Sequence, residues 1–415
     1  MSFQHINVIH VKYCSGHTTI PMGRLALVNR KIFFEYAPSF LGLGIELSPF
    51  KLPVKPGVIA SEDYIFDGLF GVFNDSLPDG WGRLLLDRKL LNLGMNPDSM
   101  TPLDRLRYVG SHGLGALMYE PEIPQRHCLW QKDLDIISDE CLQFQDQDKD
   151  QFVDELLALN GSSAGARPKI LVNLTSNKTG LEIESDQSSS NNHWIIKFRS
   201  SLDPKDAGPI EYAYHLMAIE AGLDVPEAYL FKSKQEEGYF GVKRFDRQES
   251  GFLHMHTFSG LLHIDHRIPS VDYTMLIKAT LWLTKDVREC EKQFRNAVFN
   301  VLAHNRDDHS KNFSFLMDQN GTWRISPSYD LIFSSGPGGE HHSTIMGEGK
   351  NPKISHLLKL AEVASIQPQK ALSIIDQVKE AVSKWPHFSK QAFVSTKSSD
   401  RIQKELARGL IRNAL

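Results

Sequence analysis

The stretch from His304 to Leu331, HNRDDHSKNFSFLMDQNGTWRISPSYDL, decides the fold predicted for this chain. Asp307 is followed by Asn312 after four residues, then by two apolar runs separated by Asn-Gly, and then by Asp330. Asn-Gly between alternating apolar residues is a strong signal for a β-hairpin. The apolar residues expected to share one face of this hairpin within each strand are Phe313, Phe315 and Met317, and Trp323 and Ile325.

Protein kinases use the order Asp, four residues, Asn, hairpin and Asp to hold a catalytic base and two metal ligands. Carboxylate and amide oxygens suit Mg²⁺, and a carboxylate can orient an attacking hydroxyl group. Asp307, Asn312 and Asp330 would supply these groups. Taken alone, the same residues fit a capped turn or a solvated corner equally well, because Asp and Asn are common in loops. The segments on either side separate these two interpretations.

Composition describes an ordinary globular protein, since 41% of the 415 residues are hydrophobic and 23% are charged. A chain of this length is expected to form two or three substructures rather than one core. The formal net charge of -4 provides no overall basic field. Tight binding to nucleic acid by this chain alone is therefore not expected.

The cysteines and the N-terminus indicate a reducing compartment. Four cysteines lack C-x-x-C spacing, which argues against a zinc site and a disulfide framework. No signal-peptide pattern is present and no apolar run approaches the ~18 residues of a membrane span, so we expect a cytoplasmic location. Two histidine pairs without ligand spacing are interpreted as surface, core or substrate-contact residues. The cysteines are Cys14, Cys128, Cys141 and Cys290, and the histidine pairs are His254 with His256 and His341 with His342.

Residues 1–122 alternate short apolar runs with turn residues and then become helical, which predicts a small α+β subdomain. Its most distinctive segment, DSLPDGWGR at residues 75–83, is interpreted as a helix-capping loop. The following helix is expected to end at Gly94. Its expected apolar side consists of Leu84, Leu85, Leu91 and Leu93. Residues 131–151 are rich in Asp and Gln, which favours a mobile connector or an exposed helix over a core element.

A glycine- and serine-rich loop, NGSSAGARPK, runs from Asn160 to Lys169 and enters the strand-like ILVNL. Such a loop lets backbone N–H groups approach phosphate oxygens, although a hairpin turn fits as well and neither the P-loop nor the Rossmann pattern is matched. After a polar insertion at residues 176–193, Lys197 lies in the apolar strand WIIKF. Burying a charged ammonium group is costly, so we expect Lys197 either to pair with an anion or to lie on an edge strand from which its side chain reaches solvent. Glu211 begins the next helix and either favours the helix dipole or pairs with Lys197.

Helical patterns dominate the remainder of the chain, after two strands in VPEAYLF and YFGVKRF. Asp286 and Glu289 have the form of a capping box at the start of a long helix that leads directly to Asp307. Residues 334–350 are glycine-rich and are expected to be mobile, and residues 353–415 are expected to form two or three helices. The apolar stripes are Tyr212, Leu216 and Ile219 in the helix before Gly222, and Phe294, Ala297, Val298, Val301 and Leu302 in the long helix.

The order of these features is that of a bilobal protein kinase. We predict an α+β fold of the protein-kinase type, with an additional N-terminal α+β subdomain and an all-helical C-terminal lobe. The expected divisions are the N-terminal subdomain at residues 1–122, a β-rich nucleotide-binding lobe at 123–255 and the helical lobe with the catalytic loop at 256–415.

Segments along nearly the whole chain resemble the HipA-type serine/threonine kinases, known mostly as the toxin halves of bacterial toxin-antitoxin pairs. In family order, the segments are DSLPDGWGR, SSAGARPK, HWIIKF, GVKRFDR, DDHSKNFSF and SPSYDLI. The chain differs from ordinary protein kinases in having YDL in place of D-F-G and in lacking A-P-E. Both differences fit the HipA type.

The resemblance implies ATP and Mg²⁺ as cofactors, with Asp307 as the catalytic base, Asn312 and Asp330 as metal ligands and Lys197 as the phosphate-binding lysine. Further nucleotide contacts are implied at Ser163, Ala164, Gly165, Lys243, Phe245, His309 and Lys311. In that family a serine opening the glycine-rich loop is autophosphorylated, which ejects the loop and switches the kinase off. Ser162 matches that position, and Ser163 lies beside it.

The resemblance also implies partners. The chain has no evident helix-turn-helix, so DNA contact would come through a separate antitoxin protein with a DNA-binding domain. Family members act on aminoacyl-tRNA synthetases, which implies a translation-related protein substrate. Two alternatives stay open: a catalytically silent kinase-fold module that docks a repressor partner, and a small-molecule kinase of the antibiotic-phosphotransferase type.

Overall fold

The structure is a computed structural model and describes residues 4–124, 133–147, 152–160, 165–174, 181–182 and 192–412. The chain forms two compact units whose segments alternate along the sequence. The first comprises Met1–Asp203, Gly241–His263 and Leu316–Thr322, and the second comprises Pro204–Phe240, Ile264–Phe315 and Trp323–Leu415. Both units contain helices and strands, which confirms the α+β class. The predicted three-part division at residues 122 and 255 stays a prediction.

The first unit begins with an antiparallel sheet in the order β4-β3-β2-β1-β5. Ile32, Phe34 and Tyr36 are buried while the residues between them are not, because alternate side chains of a strand point to opposite faces. The strands are β1 (Val8–Ser15), β2 (Thr18–Val28), β3 (Lys31–Tyr36), β4 (Val58–Ala60) and β5 (Leu117–Glu120).

Helices accompany this sheet in the first unit. They are α1 (Pro38–Leu41), α2 (Gly71–Asn74), α3 (Gly80–Asn92), α4 (Pro102–Val109), α5 (Leu134–Gln147) and α6 (Val153–Asn160), with a 3₁₀ turn at Pro97–Ser99. Helix α3 ends where predicted, and Gly94 follows it with a φ of 71°. The predicted apolar side of α3 is wrong for three of its four leucines. Leu85, Leu86 and Leu90 are buried with Trp81, whereas Leu84, Leu91 and Leu93 are exposed.

The acidic stretch after residue 131 does not behave as predicted. Residues 134–147 form α5, and its Ile137, Cys141 and Phe144 are fully buried because their spacing places them on one helix face. The prediction of a mobile connector or an exposed helix, rather than a core element, is therefore wrong for these three residues. Residues 131–132 and 148–151 lie outside the described part of the chain.

A second sheet of the first unit has the order β7-β6-β8-β10. Its strands are β6 (Lys169–Leu174), β7 (Leu181–Glu182), β8 (His193–Lys197) and β10 (Tyr239–Lys243), of which Gly241–Lys243 belong to this unit. The predicted ILVNL and WIIKF strands are confirmed. Shorter elements follow as β11 (Arg247–Gln248), β12 (Gly251–Phe252), β13 (His254–Thr257) and α8 (Phe258–Leu262). The polar insertion at 176–193 is described only at residues 181–182 and 192–193.

The second unit is mainly helical but also carries short strands, so its helical lobe is not free of β-structure. Its helices are α7 (Ala207–Glu220), α9 (Tyr273–Thr284), α10 (Val287–Leu302), α11 (Ile354–Val363), α12 (Pro368–Ser383), α13 (Trp385–Gln391) and α14 (Thr396–Arg412). Four helices form after residue 353, where two or three were predicted. The strands include β9 (Ala228–Phe231), the parallel pair β14 (Val271–Asp272) and β17 (Ser343–Thr344), and β16 (Trp323–Ile325). Strand β15 (Ser314–Met317) forms a hairpin with β16, and its residues Leu316 and Met317 belong to the first unit.

Helix α7 differs from its prediction in its start and its buried face. It begins at Ala207, so Glu211 lies in its second turn and is buried. The interpretation of Glu211 as a dipole partner is therefore wrong, because that effect is confined to the first turn. Ile219 is 53% exposed, and the buried apolar side chains include Ile210, Ala213, Tyr214, Met217 and Ala218.

Helix α10 confirms its predicted stripe, since Phe294, Ala297, Val298, Val301 and Leu302 are all buried. The Asp286 carboxylate caps the helix by accepting from the Arg288 N–H at 2.9 Å. The predicted reciprocal capping box does not form. The Glu289 carboxylate instead accepts from the N–H of Ile325 at 2.8 Å and so ties α10 to β16.

The hairpin between β15 and β16 is confirmed, but its turn differs from the prediction. The Asp318 carboxylate accepts from the N–H groups of Asn320 and Thr322, and Gly321 has a φ of 78°, so the turn is longer than a two-residue Asn-Gly turn. All four residues of β15 are buried. The apolar residues predicted to share a face within each strand are all buried, and the side chains between them in β15 are buried as well.

None of the helices in the described ranges combines the length and apolar character needed to cross a membrane. Cys14, Cys141 and Cys290 are free, buried thiols, and Cys128 lies outside the described residues.

Candidate catalytic site

Helix α10 delivers the chain to the loop that carries Asp307. After the helix ends, His304 adopts a φ of 56°, which turns the backbone sharply. The side-chain amide of Asn305 then donates to the side-chain oxygen of Asn300 at 2.9 Å. The Ser334 N–H donates to the backbone carbonyl of His304 at 3.1 Å. These bonds hold the start of the loop against the helix that precedes it.

Asp307 and Asn312 are brought together by this loop. The Asn312 side-chain amide donates to the backbone carbonyl of Asp307 at 2.7 Å, and a 3₁₀ turn at Ser310–Asn312 closes the distance between them. The Asp307 side chain is exposed and Asn312 is half-buried. A carboxylate that is open to solvent on a fixed backbone can meet a substrate hydroxyl group.

Asp330 is held next to the same loop by its neighbours. It adopts a φ of 54°. The Tyr329 hydroxyl donates to the Lys311 carbonyl at 2.6 Å and lies 2.5 Å from the Ser314 hydroxyl. A polar depression in the second unit is lined by Asn312 and by both neighbours of Asp330. Its lining residues include Gln293, Asn300, Asn305, Asp308, Asn312, Ser314, Tyr329 and Leu331.

The donor atoms here fit a hard divalent cation. Side-chain oxygens of Asp and Asn are ligands that Mg²⁺ accepts, and Mg²⁺ is commonly held by one or two carboxylates together with water and substrate phosphates. In the part of the chain that the structure describes, no group of three or more His, Cys, Asp or Glu residues could hold a metal ion.

Histidines surround the loop. The ring of His309 lies 5.6 Å from that of His266 and 5.7 Å from that of His342, measured between centroids. Burial and the neighbouring His309 lower the pKa of His342 below its ordinary value. His341 and His342 are both buried, so the predicted mobile loop at 334–350 is wrong at these residues. His254 and His256 are buried as well, so the surface alternative is wrong for both pairs, and the core and substrate-contact alternatives stay predictions.

In the first unit, Lys197 ends β8 directly opposite Lys169 of β6. The strand order makes β8 an internal strand, so the edge-strand interpretation of Lys197 is wrong. Lys169 is only 5% exposed and is the more buried of the two. From the sequence, Lys169 is predicted only as the end of a loop, although its position directly before the apolar run ILVNL is a signal of a lysine that begins a buried strand.

The described end of the glycine-rich loop is gripped by the DSLPDGWGR segment. The Gly165 N–H donates to the Asp79 carboxylate, and the Trp81 N–H donates to the Gly165 carbonyl at 3.0 Å. A Cβ at Gly80 would lie 2.6 Å from that carbonyl oxygen. The segment therefore binds the end of the glycine-rich loop in addition to forming the start of α3. Ser162, Ser163 and Ala164 lie outside the described residues.

The GVKRFDR segment contains a buried ionic cluster. The Asp246 carboxylate accepts from the guanidinium groups of Arg244 and Arg247 at 2.8–3.0 Å and from the Gly115 N–H at 2.8 Å. Burial alone would raise the pKa of Asp246, but the two guanidinium groups and these hydrogen bonds hold it well below its ordinary value. Lys243 and Phe245, the predicted adenine contacts, are half-buried and flank this cluster.

The structure therefore places Asp307, Asn312, Asp330, His309 and Lys311 around one loop of the second unit. Lys197, Gly165, Lys243 and Phe245 belong to the first unit.

Two family profiles match the chain: the HipA N-terminal domain over residues 17–120 and the HipA-like C-terminal domain over residues 161–385. The fold and these matches define a protein of the HipA type. The chain belongs to the HipA family.

A solved structure of the Shewanella oneidensis MR-1 toxin-antitoxin system, with HipA, HipB and operator DNA, contains a chain with the same fold. The similarity has a TM-score of 0.71 and covers 97% of this chain and 96% of that chain, at 16% sequence identity.

Two curated relatives carry kinase names. "Putative kinase Y4dM" of Sinorhizobium fredii is 27% identical over 267 residues, which cover 59% of this chain and 64% of the relative. "Putative kinase" of Haemophilus influenzae is 27% identical over 136 residues, which cover 29% of this chain and 40% of the relative. The chain thus spans less than two thirds of the length of either relative.

Proposed function

We propose that this chain is an ATP- and Mg²⁺-dependent protein serine/threonine kinase and the toxin of a toxin-antitoxin pair. The observation that carries the proposal is the pair Asp307 and Asn312. The exposed carboxylate belongs to Asp307, whose backbone carbonyl accepts a hydrogen bond from the side-chain amide of Asn312. The spacing of these two residues is that of the catalytic loop of protein kinases. Membership of the HipA family and the kinase names of the relatives support the same activity.

In this proposal Asp307 orients the substrate hydroxyl and accepts its proton. Asn312 and Asp330 present oxygen atoms to Mg²⁺, which when bound neutralises phosphate charge. Lys169 and Lys197 are proposed to contribute positive charge to the site of the ATP phosphates, because the two residues are direct cross-strand partners on one sheet face. Gly165, Lys243, Phe245, His309 and Lys311 are proposed as further nucleotide contacts.

The test of this activity is transfer of labelled phosphate from ATP. Asp307→Ala and Asp330→Asn are expected to abolish phosphoryl transfer while leaving the fold intact. Asp376→Ala, which removes an exposed carboxylate from α12, is the matched control and should retain activity. Transfer that persists in either site variant refutes the assignment.

Regulation is proposed at the glycine-rich loop, through autophosphorylation of Ser162 or Ser163. Mass spectrometry of active protein should locate phosphate on one of these serines. Phosphate confined to other residues counts against this switch.

A DNA-binding antitoxin is the proposed partner, supported by the solved relative that is assembled with HipB and operator DNA. The proposed substrate is a translation-related protein such as an aminoacyl-tRNA synthetase. Labelling a cell lysate with this kinase and identifying the labelled protein tests the substrate. A catalytically silent docking module is the alternative, and absence of any nucleotide-induced thermal shift would favour it.

A further inference from the structure

Asp308, the residue after the proposed base, is a fully buried carboxylate whose two oxygens accept from four donors. One oxygen accepts from the N–H groups of His342 and Ser343 at 2.8 and 3.2 Å. The other accepts from the Tyr273 hydroxyl and the His341 Nδ1, both at 2.9 Å. With four donors around two oxygens, a neutral amide could not replace this carboxylate without setting its NH₂ group against another donor.

The backbone on both sides of Asp307 is held by hydrogen bonds, two of them from residues 342–343 and one from Asn312. Three consecutive carbonyl groups accept hydrogen bonds, so the peptide planes before and after Asp307 have no freedom to rotate. The three bonds are His342 N–H to Arg306 at 3.1 Å, Asn312 Nδ2 to Asp307 at 2.7 Å and Ser343 Oγ to Asp308 at 2.5 Å.

The Asp308 anchor continues into the helices behind it. The Tyr273 hydroxyl accepts from the Asn300 side-chain amide at 2.8 Å, and the Asn300 side-chain oxygen accepts from Asn305 at 2.9 Å. Asn300 belongs to α10 and Tyr273 to α9. The carboxylate of Asp308 therefore joins two helices and residues 341–343 to one point of the loop.

We propose that Asp308 is the positioning residue of the site, which sets the direction of the Asp307 carboxylate by holding the loop to His341–Ser343. The proposal rests on the proposed kinase function. Asp308 itself is buried and makes no contact with solvent, so it acts through Asp307 and not on the substrate. Misplacing a catalytic group by about 1 Å can cost on the order of 10²-fold in rate.

The experiment compares Asp308→Asn with a matched variant of the same unit, Asp206→Asn. Asp206 is also buried and accepts from the Ser395 N–H at 3.0 Å, the Ser395 hydroxyl at 2.6 Å and the Ser398 hydroxyl at 3.1 Å. Both variants lose the charge of a buried, hydrogen-bonded carboxylate, but only Asp308 is bonded to the loop of Asp307. Ser343→Ala removes one bond of the anchor and serves as a milder second variant.

Two measurements are made on each variant: kcat and KM for ATP, and amide hydrogen exchange of residues 304–312. Asp308→Asn is expected to lower kcat roughly 10²-fold with KM for ATP unchanged. It should also accelerate exchange in 304–312, with Ser343→Ala giving a smaller change of the same kind. Asp206→Asn should leave both measurements as in the unmodified protein.

The two measurements separate this proposal from the proposed function. If the unmodified protein transfers no phosphate but Asp308→Asn still loosens residues 304–312 selectively, the kinase function fails and the anchor stands. Unchanged exchange in Asp308→Asn overturns the anchor. A loss of kcat shared equally by Asp206→Asn overturns the positioning role.

Discussion

Lys169 and Lys197 are direct cross-strand partners in the antiparallel pair of β6 and β8, and their side chains therefore lie on the same face of the sheet. Ammonium groups bind phosphate oxygens through charge-assisted hydrogen bonds. The phosphate site proposed for the first unit rests on this pair.

Replacing either lysine by Met should weaken ATP binding. A hydrogen bond to a charged group contributes about 1.5–3 kcal/mol, so each change should reduce affinity roughly 10- to 100-fold. The measurement is the thermal shift produced by increasing ATP. Lys205→Met, at an exposed position, is the control and should bind ATP as the unmodified protein does. An unchanged shift in Lys169→Met would contradict a phosphate site between these strands.

Gly80→Ala should weaken the contact between residues 79–81 and Gly165 of the glycine-rich loop. The added Cβ would lie 2.6 Å from the Gly165 carbonyl oxygen and 2.7 Å from the Ala166 Cα, so the loop must move. Gly80 and Gly94 both have a positive φ, at 44° and 71°, but a Cβ at Gly94 meets open space. Gly94→Ala therefore carries only the backbone strain, about 1 kcal/mol.

The expected result is a larger loss of unfolding free energy and a weaker ATP-induced shift in Gly80→Ala than in Gly94→Ala. Urea denaturation and the thermal shift measure the two effects. If the two variants show the same unfolding free energy and the same ATP-induced shift, the close approach of Gly80 and Gly165 contributes to neither stability nor ATP binding.

The buried face of α3 can be tested with two adjacent leucines. Leu85→Ala removes a fully buried side chain and should lower the free energy of unfolding by roughly 2–5 kcal/mol. Leu84 is 42% exposed, so Leu84→Ala should change it by less than about 0.5 kcal/mol. Denaturant melts of both variants check the assignment, and a reversed ranking would place the opposite face of α3 against the core.

Acid should destabilise the protein through buried, neutral histidines. Burial lowers the pKa of His215 to about 4, from 6.5 in an unfolded chain. Between these two values the unfolded chain binds a proton that the folded protein does not. The free energy of unfolding therefore falls as the pH falls through this window, by at most about 1.4 kcal/mol per pH unit for this residue.

His215→Leu should reduce that slope between pH 6.5 and 4. His387→Gln, at an exposed position, should leave the slope as it is. Denaturant titrations at several pH values give the slope for each protein. An identical slope in His215→Leu would show that other groups account for the acid sensitivity.

Local pattern was enough to predict several elements of this fold. Helix α10 has one apolar stripe against a charged opposite side, so its periodicity identified the buried residues Phe294 and Val301. The strands β6 and β8 are short apolar runs bounded by polar residues. The hairpin follows from two apolar runs around Asn-Gly, although the side chain of Asp318 sets the turn itself.

Elements with apolar residues on more than one side could not be resolved in this way. Leucines occur around much of α3, and apolar residues cover most of α7, so periodicity alone could not choose the buried face. Trp81 in α3 and Tyr214 in α7 decide it, because each is large and fully buried.

The order of the site residues could be read from the sequence, but the contacts that fix them could not. Asp308 meets Tyr273, which lies 35 residues before it, and His341, which lies 33 residues after it. The proposed role of Lys169 depends on its cross-strand pairing with Lys197. Such partners depend on tertiary structure, and a single sequence gives no signal of which distant donors will converge.

The bonds of Asp79 and Trp81 to Gly165 link the two sequence regions that the family profiles treat separately. Hybrid proteins that combine residues 17–120 of one relative with residues 161–385 of another must therefore preserve this junction. We expect such hybrids to fold when one relative supplies a small residue at the position of Gly80 and the other supplies a glycine at the position of Gly165. The evolutionary histories of the two regions should consequently be correlated at these few positions.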